Sequence, residues 1–194
     1  MLDLTKLEAV NECLAAIGEA PVTSLAGDLP LDAELAEKEV DRCDREVQAR
    51  GWSFNSDFDV SLEPDGSNEI VLDAAVLRVE AVLRSVDIAI RGGKLYDLVE
   101  QSFTFTSPVR VNQVVALSFD DLPQVAREYI AKRAARKFAE KALAGPQPTL
   151  RDDEREAKAA LLRNDARTRD LRISDTASVG RITHRVSPFD WRHF

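Results

Sequence analysis

Residues 48–55 read Gln48-Ala49-Arg50-Gly51-Trp52-Ser53-Phe54-Asn55, and at Gly51 the apolar spacing of the chain changes from helical to alternating. Before this point Leu31, Leu35, Ala36, Val40, Cys43 and Val47 recur every three or four residues, with Glu, Asp, Lys and Arg between them, which predicts a helix from about 31 to Arg50. After it the alternating period persists for about seventy residues, which predicts strands. Trp52 and Phe54 are read as core residues that anchor this corner between helix and strand.

Upstream, Leu4, Leu7, Val10, Asn11, Leu14 and Ile17 form a first helical stripe. Asp3 is placed to cap it, Gly18 to end it in the left-handed conformation, and Pro21 to prevent its resumption. Downstream, Leu77, Val79, Ala81 and Leu83 face one way while Arg78, Glu80 and Arg84 face the other, and Val86, Ile88 and Ile90 continue the pattern. Arg91-Gly92-Gly93-Lys94 supplies the two glycines of a tight hairpin, with Leu95–Val99 as its returning strand. Phe103 and Phe105, then Val109–Leu117, predict a fifth and a sixth strand.

Helical periodicity returns after Asp120-Asp121-Leu122-Pro123, read as capping carboxylates followed by a first-turn proline. Helix three buries Ala126, Tyr129, Ile130, Ala134 and Phe138, carries Arg127, Lys132, Arg133, Arg136, Lys137 and Lys141 elsewhere, and stops at Gly145-Pro146. Two readings of that basic side follow: it faces phosphate or an acidic partner, or it is a solvated face paired with the acidic start of helix four. Helix four, about 149–169, opens with Asp152, Asp153, Glu154 and Glu156 and closes with Arg163, Arg167 and Arg169, an order that complements the helix dipole. The expected fold is α+β: a helical bundle from residues 1–50 and 121–170, an antiparallel β domain inserted at 51–120, and an extended C-terminal arm over 171–194. In that arm Phe189, Trp191 and Phe194 are too apolar for a solvated tail, so they are expected to dock, on a partner or on the chain's own body.

Composition bounds the chemistry. The chain has 194 residues, 44% hydrophobic and 31% charged, with a formal charge of −8, which suits a soluble globular protein and opposes one that wraps nucleic acid. Cys13 and Cys43 have no CxxC spacing and read as small core residues of a reducing compartment. No apolar run reaches the roughly 20 residues of a membrane span, and Met1-Leu2-Asp3 lacks the basic start of a signal peptide. The two histidines, His184 and His193, lie in the arm, so neither a Ser-His-Asp triad nor an HExxH helix is expected. Neither GxxxxGK[ST] nor GxGxxG occurs. The acidic pairs Asp120/Asp121 and Asp152/Asp153 are read as helix caps in place of catalytic acid and base. No catalytic, metal or cofactor-binding residue is therefore nominated.

Beyond these physical readings, a series of short motifs occurs in order. Residues 9–22 read Ala-Val-Asn-Glu-Cys-Leu-Ala-Ala-Ile-Gly-Glu-Ala-Pro-Val, followed by Ser24-Leu25, Gly27-Asp28 and Asp32-Ala33. Then come the segment 48–55, Leu62-Glu63-Pro64-Asp65, Arg91-Gly92-Gly93 with Tyr96-Asp97, Asp121-Leu122-Pro123, Ala134-Ala135-Arg136-Lys137-Phe138 and Gly145-Pro146. This order resembles the tail tubular protein A family of short-tailed phages over about residues 9–160, and the arm shows no counterpart. Gly51, Trp52, Phe54 and Asn55 match the family's junction between helix two and the first strand.

The resemblance implies a structural virion protein without enzymatic activity or cofactor, assembled in the host cytoplasm. In the family it is an adaptor present as a twelve-membered ring, seated between the portal and the nozzle, tail tubular protein B. Genome passes through the lumen without specific binding, some relatives hold tail fibres at the outer edge, and no membrane is involved. Two expectations about surfaces join this. Arg127, Arg133, Arg136 and Lys137 of helix three are nominated to meet acidic helices of a neighbouring copy, because acid predominates between Asp3 and Asp59. Phe189, Trp191 and Phe194 are nominated to anchor in the portal. The competing classes are a tail-associated polysaccharide depolymerase and a DNA-binding head-completion factor that uses helix three.

Overall fold

A computed structural model describes residues 3–83 and 86–176, with only the backbone for the last seven. The nominated Phe189, Trp191 and Phe194, and both histidines, lie outside the described residues. The elements run α1 (Lys6–Ile17), α2 (Leu31–Gln48), β1 (Ser56–Leu62), β2 (Val76–Ala81), β3 (Ile88–Arg91), β4 (Lys94–Asp97), β5 (Val109–Val115), a 3-10 turn (Phe119–Asp121), α3 (Gln124–Ala142) and α4 (Pro148–Thr176). The fold is α+β, with the strands inserted between helices. Met1–Val47 and Ser118–Asp175 form a helical unit, and Gln48–Leu117 belongs to a second, β unit.

In the helical unit, α1 starts at Thr5 rather than at Asp3. The Thr5 hydroxyl accepts from the Glu8 N–H at 3.2 Å and the Glu8 carboxylate accepts from the Thr5 N–H at 2.7 Å, a reciprocal capping box. Asp3 instead takes a hydrogen bond from Arg127 at 3.3 Å. Gly18, at φ 83°, closes the helix as expected. Asn11, placed in the apolar stripe, clamps the following loop: its amide donates to the Val22 carbonyl at 2.9 Å and accepts from the Val22 N–H at 2.8 Å. Small buried side chains, Ala9 and Cys13 on α1 and Ala131, Ala134 and Ala135 on α3, let these two helices pack closely.

The starts of α3 and α4 also differ from expectation. Asp120 and Asp121 belong to the 3-10 turn, where Asp121 accepts from the Ser118 hydroxyl at 2.5 Å, and α3 begins at Gln124 with Pro123 as its uncharged N-cap. α4 begins at Pro148, so Asp152 and Asp153 stand in its second turn, and Asp152 pairs with Arg155 at 2.8 Å instead of capping. The same helix continues to Thr176, taking in the first residues assigned to an arm. α2 ends at Gln48, two residues short of Arg50.

In the β unit the sheet order is β1-β5-β2, all antiparallel, beside the separate hairpin β3-β4. Gly92 and Gly93, at φ 58° and 75°, make the expected two-residue turn. Ile70, Leu72, Val79, Leu95 and Phe105 form the core, with Leu62, Val76, Ile88, Ile90 and Val109 against it. Among the described residues five strands form where six were expected, since Ser102 and Thr104 make only isolated bridges. Gln101 at φ 51° turns the chain there, and the alternation fails because Phe103 is exposed while Phe105 is buried. β2 ends at Ala81, which leaves Leu83 exposed instead of in the core.

Candidate functional site

Two constellations stand out, one in each unit. The first is the junction at which the chain enters and leaves the β unit. Gly51 adopts φ 77°, a value that glycine reaches without Cβ strain, and its N–H closes a turn on the Gln48 carbonyl at 3.0 Å. Trp52 and Phe54 stack with centroids 6.4 Å apart and planes 6° from parallel. Asn55 is buried and every arm of its amide is used. Its Oδ1 accepts from the Trp52 N–H at 2.8 Å, while Nδ2 donates to the Gln48 carbonyl at 3.0 Å and to the Val115 carbonyl at 3.1 Å.

Gln48 completes the junction from the other side. Its amide donates to the Leu117 carbonyl at 2.9 Å and accepts from the Leu117 N–H at 2.8 Å, as a neighbouring strand would. The backbone adds Val115 N–H to Asn55 C=O at 2.9 Å. Incoming and outgoing segments are thereby held side by side. Asparagine suits position 55 because one acceptor and two donors are needed on a short stem; aspartate lacks the donors. Of the two aromatics read as core residues, Trp52 is buried while Phe54 is only half-buried, stacked on it at the corner.

The second constellation surrounds α3 in the helical unit. No residue from Gln124 to Glu140 is exposed, so the basic side chains of this stretch are not a fully solvated face; Lys141, just beyond it, is exposed. Arg133 lies between α2 and α4, donating to Glu46 at 2.9 Å and to Glu154 at 3.0 Å. Arg136 pairs with Glu154 and with Glu140, the latter at 2.5 Å. Lys137 reaches Glu46 at 2.7 Å and Lys141 reaches the buried Glu39 at 2.6 Å. Arg127, 8% exposed, donates to the carbonyls of Leu122 at 2.7 Å and Leu4 at 3.0 Å. The four cations nominated for a subunit boundary are thus all engaged within their own chain.

The electrostatics follow from these pairs. The hydrogen bond from Lys137, joined by that from Arg133 and opposed by partial burial, holds the Glu46 carboxyl down at about 2. For Glu39, burial raises the pKa, but the hydrogen bonds from Arg42 and Lys141 outweigh it and the net direction is down. Arg151 acts likewise on Glu140. Such an array neutralises charge inside the unit.

The carboxylate partners were the part missed from sequence, except at the acidic start of α4, where pairing was one of the two readings and Glu154 fulfils it. The signal was present: Glu39 and Glu46 stand seven apart on α2, and Arg133, Lys137 and Lys141 stand four apart on α3. Cys13 and Cys43 are free, buried thiols, and burial pushes Cys43 up to about 12. Among the described residues no group of three or more His, Cys, Asp or Glu is placed to hold a metal, and no helix is long and apolar enough to cross a membrane.

Helices interrupted by an inserted β unit define the fold class as α+β, and comparison with known proteins supplies the family. Residues 7–171 match the tail tubular protein family, a span that includes both constellations. The chain belongs to this family of phage tail structural proteins. It is 32% identical over 128 residues to Tail tubular protein A of Klebsiella phage KP34, a match covering 66% of this chain and 68% of that one.

Proposed function

We propose that this protein is the head-to-tail adaptor of a short-tailed phage, a ring-forming, non-enzymatic virion component between portal and nozzle whose lumen passes the genome. The observation that supports this most is the family match across residues 7–171, which takes in helical and β units alike. The charge of −8 per chain fits a conduit. A ring of twelve such chains would carry about −100, and carboxylates facing the lumen would repel phosphate and keep duplex from adhering to the wall. The acidic regions outside the α3 array are the source of that charge, since the array itself is internally paired.

In this reading Phe189, Trp191 and Phe194 seat in the portal, the nozzle joins the opposite side, and the outer edge offers a place for tail fibres. Electron microscopy of virions, and of the purified chain mixed with portal, tests the role. Density for a closed ring at the vertex where capsid meets tail is expected; a chain missing from that vertex overturns the proposal. Deleting residues 184–194 is expected to leave rings that fail to join heads, and normal joining removes the portal-anchoring role of the three aromatics.

A further inference from the structure

The array around α3 engages the cations first nominated for neighbour contact, which turns attention to the β unit. Among the described residues β1 borders one strand only, β5, and so forms an edge of the three-stranded sheet. An edge strand offers backbone N–H and C=O groups to an extended segment laid beside it. The side chains of β1 are sorted by face. Val60 and Leu62 lie on the side of Val109 and Val111, where Leu62 packs against the core. Asp59, Ser61 and Glu63 lie on the other side: Asp59 pairs with Arg110, and the Ser61 hydroxyl donates to Glu63 at 3.1 Å. Phe58 and Asp59, the latter at φ 64°, stand opposite Asn112 alone, a bulge that bounds the straight stretch from Val60 onward.

Charge says which segment fits beside that stretch. Every charged residue from Ser56 to Glu63 is acidic, namely Asp57, Asp59 and Glu63. Two such edges repel each other, so β1 is guarded against a second β1 and open to a basic strand. Outside the described residues, 177–187 holds Arg181 and Arg185 and no acid, in the alternation Arg181-Ile182-Thr183-His184-Arg185-Val186 between Gly180 and Pro188. With one segment wholly acidic in its charges and the other wholly basic, no register sets like charges together. One antiparallel register also matches the faces: Glu63 opposite Arg181, Leu62 opposite Ile182, Ser61 opposite Thr183 and Val60 opposite His184, with Arg185 beside Asp59 at the bulge. Because Asp59 is already held by Arg110, Glu63 with Arg181 is the charge pair that this register adds.

From this we infer that residues 181–186 of one copy add as an antiparallel strand to the β1 edge of a neighbouring copy of this chain. Length favours the neighbour. α4 runs about 43 Å from Pro148 to Thr176, and residues 177–194 can reach on the order of 60 Å further, against a radius of gyration of about 13 Å for a compact unit of about 100 residues. The inference rests on the ring reading above, and it leaves Phe189, Trp191 and Phe194, beyond Pro188, for the portal. A copy that gives its strand to one neighbour and receives one from the other makes a head-to-tail contact.

Cysteine cross-linking in phage particles carrying the full-length chain tests it, with little background because Cys13 and Cys43 are buried. The double variant Ser61→Cys, Thr183→Cys, oxidised in intact particles, is expected to give a ladder of dimers and higher multiples on a non-reducing gel, while each single variant stays monomeric. Adding Glu63→Arg or Arg181→Glu to the double variant is expected to lower the cross-linked fraction about threefold, and adding both to restore it. An unchanged fraction in either, or no restoration by the pair, overturns the register. No cross-link in particles that contain the chain in several copies overturns the strand contact and leaves the ring reading standing. A bond between positions 61 and 183 of the same chain, located by mass spectrometry of digested monomer, overturns the exchange between copies. Dimers from Ser61→Cys alone overturn the basic segment as the occupant of the edge. A chain present in one copy or absent from particles overturns both this contact and the ring.

Discussion

Glu46 carries a large part of the acid sensitivity of the helical unit. Its carboxyl titrates near 4.5 in the unfolded chain and at about 2 when held by Lys137 and Arg133. The unfolded chain therefore binds the proton first, so the stabilisation is complete above about pH 4.5 and is lost as pH falls toward 2. Glu39 and Glu140 shift in the same direction and add to the effect. Glu46→Gln is expected to cost about 1–2 kcal/mol at pH 7, less than a fully buried pair because Glu46 is 37% exposed. Thermal melts followed by circular dichroism between pH 7 and 2.5 should show a flatter profile for the variant than for the parent; parallel profiles refute the assignment. At Asn55, replacement by alanine removes three hydrogen bonds, two of them buried, and is expected to cost about 2–4 kcal/mol in urea unfolding. Asn55→Asp should be at least as damaging at pH 7, because it aims a charge at two carbonyls, and should recover partly on acidification. The junction motif was legible as a fold anchor, yet the role of Asn55 was not, since its partners Gln48 and Val115 are 7 and 60 residues away in sequence.

Among the elements, α3 departs furthest from its sequence reading and α1 packs most closely. Periodicity located α3 correctly, because alanines, Tyr129, Ile130 and Phe138 recur at helical spacing. Periodicity also labels every cation as outward, and that label fails where other helices of the unit present carboxylates to it. Glu12, Glu39, Glu46, Glu140 and Glu154 absorb the charge that solvent would otherwise have screened. Helix ends were the least legible features: Thr5 displaced Asp3 because only Thr5 stands three residues before Glu8, the spacing a capping box requires. Close approach of α1 and α3 over alanine gives a prediction for the pair. Ala134→Leu, at a fully buried position, is expected to destabilise by about 1–3 kcal/mol through overpacking. Ala142→Leu, at the exposed end of α3, is the control and should leave the calorimetric midpoint unchanged. Equal midpoints for the two variants would contradict the packing described.

For the whole molecule, the layout of helices around inserted strands was readable from one change of period at Gly51 and its reversal after Leu117. What sequence could not supply was the pairing of distant segments: β5 lies between β1 and β2, and Phe103–Phe105 stays outside the sheet. Each unit has its own core, so each is expected to hold its structure without the other. Replacing residues 49–116 by a short glycine-asparagine turn between Gln48 and Leu117, which already hydrogen-bond each other, should leave a chain with the helical signal and cooperative melting of the helical unit. Loss of cooperativity would show that the frame depends on its insert.

The side-by-side arrangement of Gln48–Asn55 with Val115–Leu117 has a mechanical consequence as well. A domain hung on one linker transmits any pull through a single covalent strand. Here the β unit begins and ends in two segments clasped by amide side chains, so a pull on its two ends divides between them and the hydrogen bonds of Gln48 and Asn55 resist their splaying apart.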